Sequence, residues 1–191
     1  MKELLRKILL SLASVFLMWQ SVKLVLNLQE MQVDSWAFAL FLAWLITLFI
    51  TGIFAFAGFA FPTQKLLPEL YYEIHQPRKV EQWCRVLKVN WFRYMLLATL
   101  WKNKKQRKQF FNGKKAGIVT LIRQSKKSEF GHLIPFILIS FLVIYLLVIG
   151  LYLVALFAML INIVGNAYPI LLQRHHRMRI ERIGRIQRHL P

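Results

Sequence analysis

From Leu133 to Gln173 the chain carries no Asp, Glu, Lys, Arg or His. As one α-helix this block would be about 60 Å long at ~1.5 Å per residue. The hydrocarbon core of a bilayer is only ~30 Å thick, so the block has the length of two crossings. A reversal near Gly150 would return its second half to the side where the first half began. Glu129 and His132 stand at one end of the block, and Gln173-Arg174-His175-His176-Arg177-Met178-Arg179 at the other. The reversal would bring both groups to one membrane surface, and that meeting point is the candidate site.

Of 191 residues, 57% are apolar, and 26 basic residues face 8 acidic ones, for a net charge of +18. A soluble domain of this length has no need of apolar runs of twenty or more residues, whereas a membrane protein does. The excess charge then marks loops beside anionic membrane lipid rather than a nucleic-acid surface. With no recognisable nucleic-acid module, no nucleic-acid partner is expected. Cys84 is the only cysteine, which excludes an intrachain disulfide and a cysteine metal cluster.

Read in order, the chain predicts an all-α integral membrane protein with about four transmembrane helices in four segments. Residues 1–62 form an N-terminal transmembrane hairpin, with spans from Leu4 to Leu28 and from Trp36 to Phe61. The first follows Lys2, Arg6 and Lys7 but lacks a small-residue cleavage site, so it reads as an uncleaved helix. Gly52 and Gly58 in the second allow close helix contact. Residues 63–131 hold 16 Lys/Arg and 4 Glu among many aromatic residues. Here Val80 to Trp101 fits an amphipathic helix in the headgroup region. Lys102 to Lys115 reads as a basic loop, and Ile118 to Ser128 as a short helix leading to Glu129. Residues 132–173 form the C-terminal transmembrane hairpin, with Pro135 in the first turn of its first helix. Residues 174–191 are a basic tail.

Charge sets the orientation. The N-terminus, the middle region and the tail are basic, and only the link Gln29 to Ser35 is acidic. The positive-inside rule places the first three in the cytoplasm. Both termini of a multi-pass protein of a bacterial cell (inner) membrane are therefore expected there. A single crossing after residue 132 would strand six arginines outside, which again requires a hairpin.

Glu129 and His132, three apart, share a helix face. A carboxylate beside an imidazole fixes its tautomer and raises its basicity, as a general base requires. One Glu-x-x-His is also half of a di-iron signature, but no second one exists in the chain, so neither a metal nor a cofactor is expected. Asn162 and Asn166 lie inside the last span, where an amide in lipid must face protein or substrate. Beyond them, Gln173, Arg174, Arg177 and Arg179 are suited to grip a phosphate or carboxylate.

The string Asn166-Ala-Tyr-Pro169-Ile-Leu-Leu-Gln173-Arg174-His-His-Arg177-Met-Arg179 resembles the terminal motif of the glycosyl-4,4'-diaponeurosporenoate acyltransferase family, the staphyloxanthin-type terminal acyltransferases of bacterial membranes. That pattern also carries a Glu-x-x-His before its last apolar block, which Glu129 and His132 match. His175 and His176 stand where Tyr and Asn are usual. The resemblance implies transfer of a fatty acyl group to a hydroxyl of a glycosylated lipid, a carotenoid glycoside or another glycolipid. It implies as partners that lipid acceptor and an acyl thioester donor. His132 would be the base and Glu129 its orienting partner. Arg174 and Arg177, supported by Arg179 and His176, would bind the donor, and Asn166 and Gln173 would position the acceptor or an oxyanion. A homo-oligomer is compatible with the sequence. The alternative from another class is a non-enzymatic lipid-binding or assembly-partner protein whose polar residues are merely interfacial.

Overall fold

The computed structural model describes residues 1–99 and 115–186. The described residues are helical and contain no strand. The helices are α1 (Lys2–Asn27), α2 (Trp36–Ala60), α3 (Glu69–Tyr72), α4 (Pro77–Val86) and α5 (Val89–Thr99). They continue with α6 (Lys115–Val148), α7 (Tyr152–Asn162), a π-helical turn Ile163–Ala167, and α8 (Tyr168–Ile186). Four stretches are long and apolar enough to cross a membrane: Lys2–Glu30, Trp36–Ala60, Gly117–Val148 and Tyr152–Arg182. The protein is an all-α membrane protein.

By contact the chain forms two units, residues 1–63 with 130–167 and residues 64–129 with 168–191. In the first unit, Ser35 caps α2 by accepting from the Phe38 amide at 3.2 Å, which satisfies one of the orphan donors at a helix start. Helices α1 and α2 pack together, with Ser14 Oγ donating to the Ile53 carbonyl at 2.9 Å. At Gly52 a Cβ would stand 2.6 Å from Leu17 Cδ1, so this glycine permits the approach. Small residues do the same where α2 meets α7. Ala39 and Ala43 of α2, and Ala155 and Ala158 of α7, lie in one buried cluster with Leu42, Ile46 and Val154. In lipid, where apolar surfaces gain nothing by leaving water, such close backbone packing drives association. The large side chains Leu12, Phe16, Trp19, Phe141 and Leu156 stay exposed, as a lipid-facing surface requires.

The reversal of the apolar block lies at Gly150. Its φ is +82°, the left-handed region that glycine enters without steric cost. The Gly150 amide donates to the Leu147 carbonyl at 3.2 Å and the Leu151 amide to the Leu146 carbonyl at 2.9 Å. This pair of bonds is a Schellman motif. It ends α6 and satisfies the last carbonyls, so the turn needs no polar side chains. Helix α7 then runs antiparallel to α6, since Asn162 bonds to the Phe136 carbonyl and Asn166 to His132.

Two local expectations change. The separate helix expected at Ile118 to Ser128 is the start of α6, a single helix of 34 residues. Pro135 thus lies deep inside the helix rather than in its first turn. Membrane helices tolerate this because neighbouring groups re-satisfy the backbone. The single helix expected from Val80 to Trp101 is broken instead, since α4 ends at Val86 and Lys88 takes a φ of +49°. Trp101, the expected basic loop up to residue 114, and the tail past Ile186 lie outside the described residues.

In the second unit, α4 starts with Pro77, whose missing N–H is no loss at a helix start. Cys84, Val89 and Phe92 pack with Leu172, joined by Val80, Leu87, Leu96, Tyr168 and Leu171. The rings of Phe92 and Tyr168 are 5.2 Å apart. This small core holds α4 and α5 against α8. Its C-terminal arm, α8, also runs antiparallel to the start of α6, with Ser128 facing Gln173 and Ser125 facing Arg177.

Candidate active site

The first unit holds a neutral hydrogen-bond chain. Asn162 and Asn166 are both fully buried. Asn162 Nδ2 donates to the Phe136 carbonyl at 3.0 Å and to Ser140 Oγ at 3.4 Å. Its Oδ1 accepts from Asn166 Nδ2 at 2.9 Å. Asn166 also exchanges contacts with the Thr51 hydroxyl, at 3.2 and 3.4 Å. Asn166 Oδ1 then stands 3.1 Å from His132 Nδ1. The π-helical turn contributes Asn166, and the Gly165 carbonyl of that turn is a second acceptor beside the imidazole. Turns of this kind recur at functional sites.

This chain fixes a direction. A backbone carbonyl can only accept, so the amide group of Asn162 must present Nδ2 to Phe136. Its Oδ1 therefore faces Asn166, which must donate and so turns its own Oδ1 toward His132. Imidazole Nδ1 then carries the proton, which leaves Nε2 of the neutral ring unprotonated. His132 is only partly buried. A half-buried imidazole with Nε2 unprotonated is what a general base for a substrate hydroxyl requires.

The second unit holds a charged cluster. Glu129 is fully buried. Its Oε1 accepts from Arg174 Nε at 2.7 Å, and its Oε2 is ion-paired with Arg177. Arg177, 1% exposed, donates to Ser125 Oγ at 3.2 Å and reaches the Tyr72 carbonyl at 3.5 Å. Arg174 is 31% exposed and lies over the Tyr71 ring at 5.0 Å. Gln173 Nε2 donates to Ser128 Oγ at 3.2 Å, and Ser125 Oγ donates to the Gln173 carbonyl at 3.1 Å. Lys126 pairs with Glu69 and lies over the Tyr72 ring. Burial pushes the Tyr72 hydroxyl up to about 12, with the Glu129 carboxylate adding to the effect. Tyr71 is raised for the same two reasons.

The expected partnership of Glu129 with His132 is replaced by these two sets of contacts. A buried carboxylate pairs with guanidinium, because an unpaired charge away from water is far more costly than an unpaired imidazole. Arg177 also differs from expectation. Fully enclosed, it offers no face to a ligand and instead holds Glu129. Of the candidate donor-binding residues, Arg174 and His176 are partly exposed and Arg179 is exposed. Sequence reasoning missed Thr51, Ser125, Ser128, Ser140, Tyr71 and Tyr72. Ser125 and Ser128, three apart and just ahead of Glu129, were the available signal.

The first unit thus carries a partly buried imidazole at the end of a directed hydrogen-bond chain, and the second a buried arginine–carboxylate cluster. The family model for glycosyl-4,4'-diaponeurosporenoate acyltransferase matches residues 68–186, more than half the chain. The protein belongs to that family and is an acyltransferase. All eight candidate site residues lie within the matched stretch. No curated protein and no solved structure matches the chain.

Proposed function

We propose that the protein moves a fatty acyl group from a thioester donor to a hydroxyl of a glycosylated lipid, with His132 as general base. The observation that carries this reading is the chain from the Phe136 carbonyl through Asn162 and Asn166 to His132 Nδ1. In the step, His132 Nε2 takes the hydroxyl proton as the hydroxyl oxygen bonds to the thioester carbonyl carbon. The C–S bond then breaks, and the same proton passes from Nε2 to the departing thiolate. An ester and a thiol result, and His132 returns to its starting state.

The other residues take roles that follow from exposure. Asn166 and Asn162 position His132. Two guanidiniums share one carboxylate at Glu129, so the cluster keeps one surplus positive charge. Arg174, the more accessible of the two, meets an anionic part of the donor. Arg177, itself held by Ser125, holds Glu129, which in turn aims Arg174. Gln173, His176 and Arg179 contact substrate at the more open end of α8. The acceptor is a carotenoid glycoside or a related glycolipid. Both termini lie in the cytoplasm of a bacterial cell, with anionic lipid against the basic segments.

Mass spectrometry of membrane lipids tests this reading in cells with the chain, without it, and with His132→Ala. An acylated glycolipid should appear only with the intact chain, while His132→Ala inserts normally and yields none. Product formed by the variant would remove His132 as the base.

A further inference from the structure

A second group of basic side chains lies away from Glu129, where α5 packs on α8. Leu172 of α8 sits in the small core beside Phe92 of α5. One turn beyond Leu172, at helical spacings of three, four and seven, stand His175, His176 and Arg179. Arg93 directly follows Phe92 and lies within electrostatic reach of both histidines, as does Arg179. Glu81 of α4 acts on His175 as well, and it also lies 3.9 Å from Arg182.

Two ring and guanidinium nitrogens in this group have no hydrogen-bond partner among the described residues. His175 is 9% exposed, and its Nδ1 is buried without a hydrogen-bond partner. Arg93 Nε is likewise buried and unpartnered. Leaving buried polar groups unmet is costly, and these two lie on different helices within electrostatic reach of one another, with Arg179 in reach of His175. We infer that Arg93, His175, His176 and Arg179 form a binding site for a phosphoryl group. A tetrahedral phosphate offers three or more acceptor oxygens to donors arriving from several directions, whereas a carboxylate offers two in one plane. Arg179 is exposed and Arg93 and His176 are partly exposed, so the group can enter from the surface. Two sources share this chemistry: a phosphate borne by a soluble acyl donor, and the headgroup of an anionic phospholipid. The first deepens the transferase reading above; the second stands without it.

The test uses the full chain in nanodiscs of phosphatidylcholine. Inorganic phosphate is titrated while its ³¹P line width is followed, and retention of added phosphatidylglycerol is measured by native mass spectrometry. Saturable broadening supports the site and a soluble source, and selective retention of phosphatidylglycerol alone supports the site and a headgroup source. In either arm Arg93→Gln should weaken binding about tenfold or more, the expected loss of a charge-assisted hydrogen bond. Arg179→Gln alters only an exposed side chain, so it keeps the test valid if Arg93→Gln fails to fold, and it should weaken binding in the same direction. His132→Ala should bind phosphate like the parent, which separates this site from the base assignment. Binding of neither probe above the phosphatidylcholine background, or equal binding by parent, Arg93→Gln and Arg179→Gln, would overturn the proposal.

Discussion

The two units solve the problem of buried polarity in opposite ways. The first uses neutral groups only: two asparagines, a threonine, a serine and an imidazole. The second uses formal charge, with Glu129 between Arg174 and Arg177. Neutral amides cost less to bury than ions, and in series they transmit a donor–acceptor direction from a backbone carbonyl to the His132 ring. Ions transmit no such direction. They supply a field, and they tolerate burial only while the pairing is complete. The difference teaches that orientation and charge are separable tasks in this protein, and mutations should separate them.

The sharpest break of the comparison is Glu129→Gln. It keeps the shape but leaves Arg177 buried beside a neutral amide. Loss of one partner of a buried ion pair costs about 3–5 kcal/mol, so thermal unfolding in detergent should show a large fall in stability. Asn166→Leu is the counterpart in the neutral unit. It removes the acceptor at Nδ1 and frees the tautomer, so kcat should fall about a hundredfold or more while KM for donor changes little. Equal changes in kcat and KM would instead indicate general damage.

Arg174→Lys keeps the charge but loses the planar fork. Donor KM should rise about tenfold, the loss of one charge-assisted hydrogen bond, with kcat nearly unchanged. Donor binding as tight as in the parent would contradict the anion-binding role of Arg174. Gly150→Ala meets no atom within 4 Å, so only its positive φ matters. A stability loss of about 1–2 kcal/mol is expected, with turnover retained.

Tyr72→Phe should have the smallest effect, because its hydroxyl is buried and unpartnered. Below pH 10 stability should hardly change. The folded-state value is raised from 10.0 to about 12, so the parent contributes stability below pH 10 that is lost as pH climbs through that window. In Tyr72→Phe this part of the alkaline decline should vanish, as pH-dependent unfolding would reveal.

Much of the fold was legible in the sequence because charge is so costly in lipid. The charge-free stretch from Leu133 to Gln173 demanded two crossings, and Gly150 was the residue able to turn left-handed between them. Lys88 was not legible as a break, since nothing in a lysine announces a positive φ. The join of Ile118–Ser128 to the membrane span was hidden because Arg123, Lys126 and Lys127 are basic, although no proline precedes Pro135 there and the helix runs on through Gly131.

In the site, residue types were easier to read than partners. Glu129 and His132 share a face by spacing alone, but spacing cannot weigh an imidazole against two arginines that arrive from residues 174 and 177. Asn166 was legible as a polar group that had to face protein, since lipid offers no hydrogen bond. Its partner on the imidazole depends on the π-helical turn, which leaves no mark in composition. Thr51 is hidden for a simpler reason: a hydroxyl in an apolar helix commonly bonds to its own backbone, as Thr47 does to the Ala43 carbonyl.

The direction of the neutral chain can be read from one residue. With ¹⁵N-labelled histidine in the bilayer-reconstituted protein, and His132→Gln to assign the signal, magnetic resonance reports which ring nitrogen carries the proton. A protonated Nδ1 and a bare Nε2 are expected at neutral pH, with the pattern lost in Asn166→Leu. A neutral ring protonated at Nε2 would leave His132 unable to take a proton from substrate and would contradict the account.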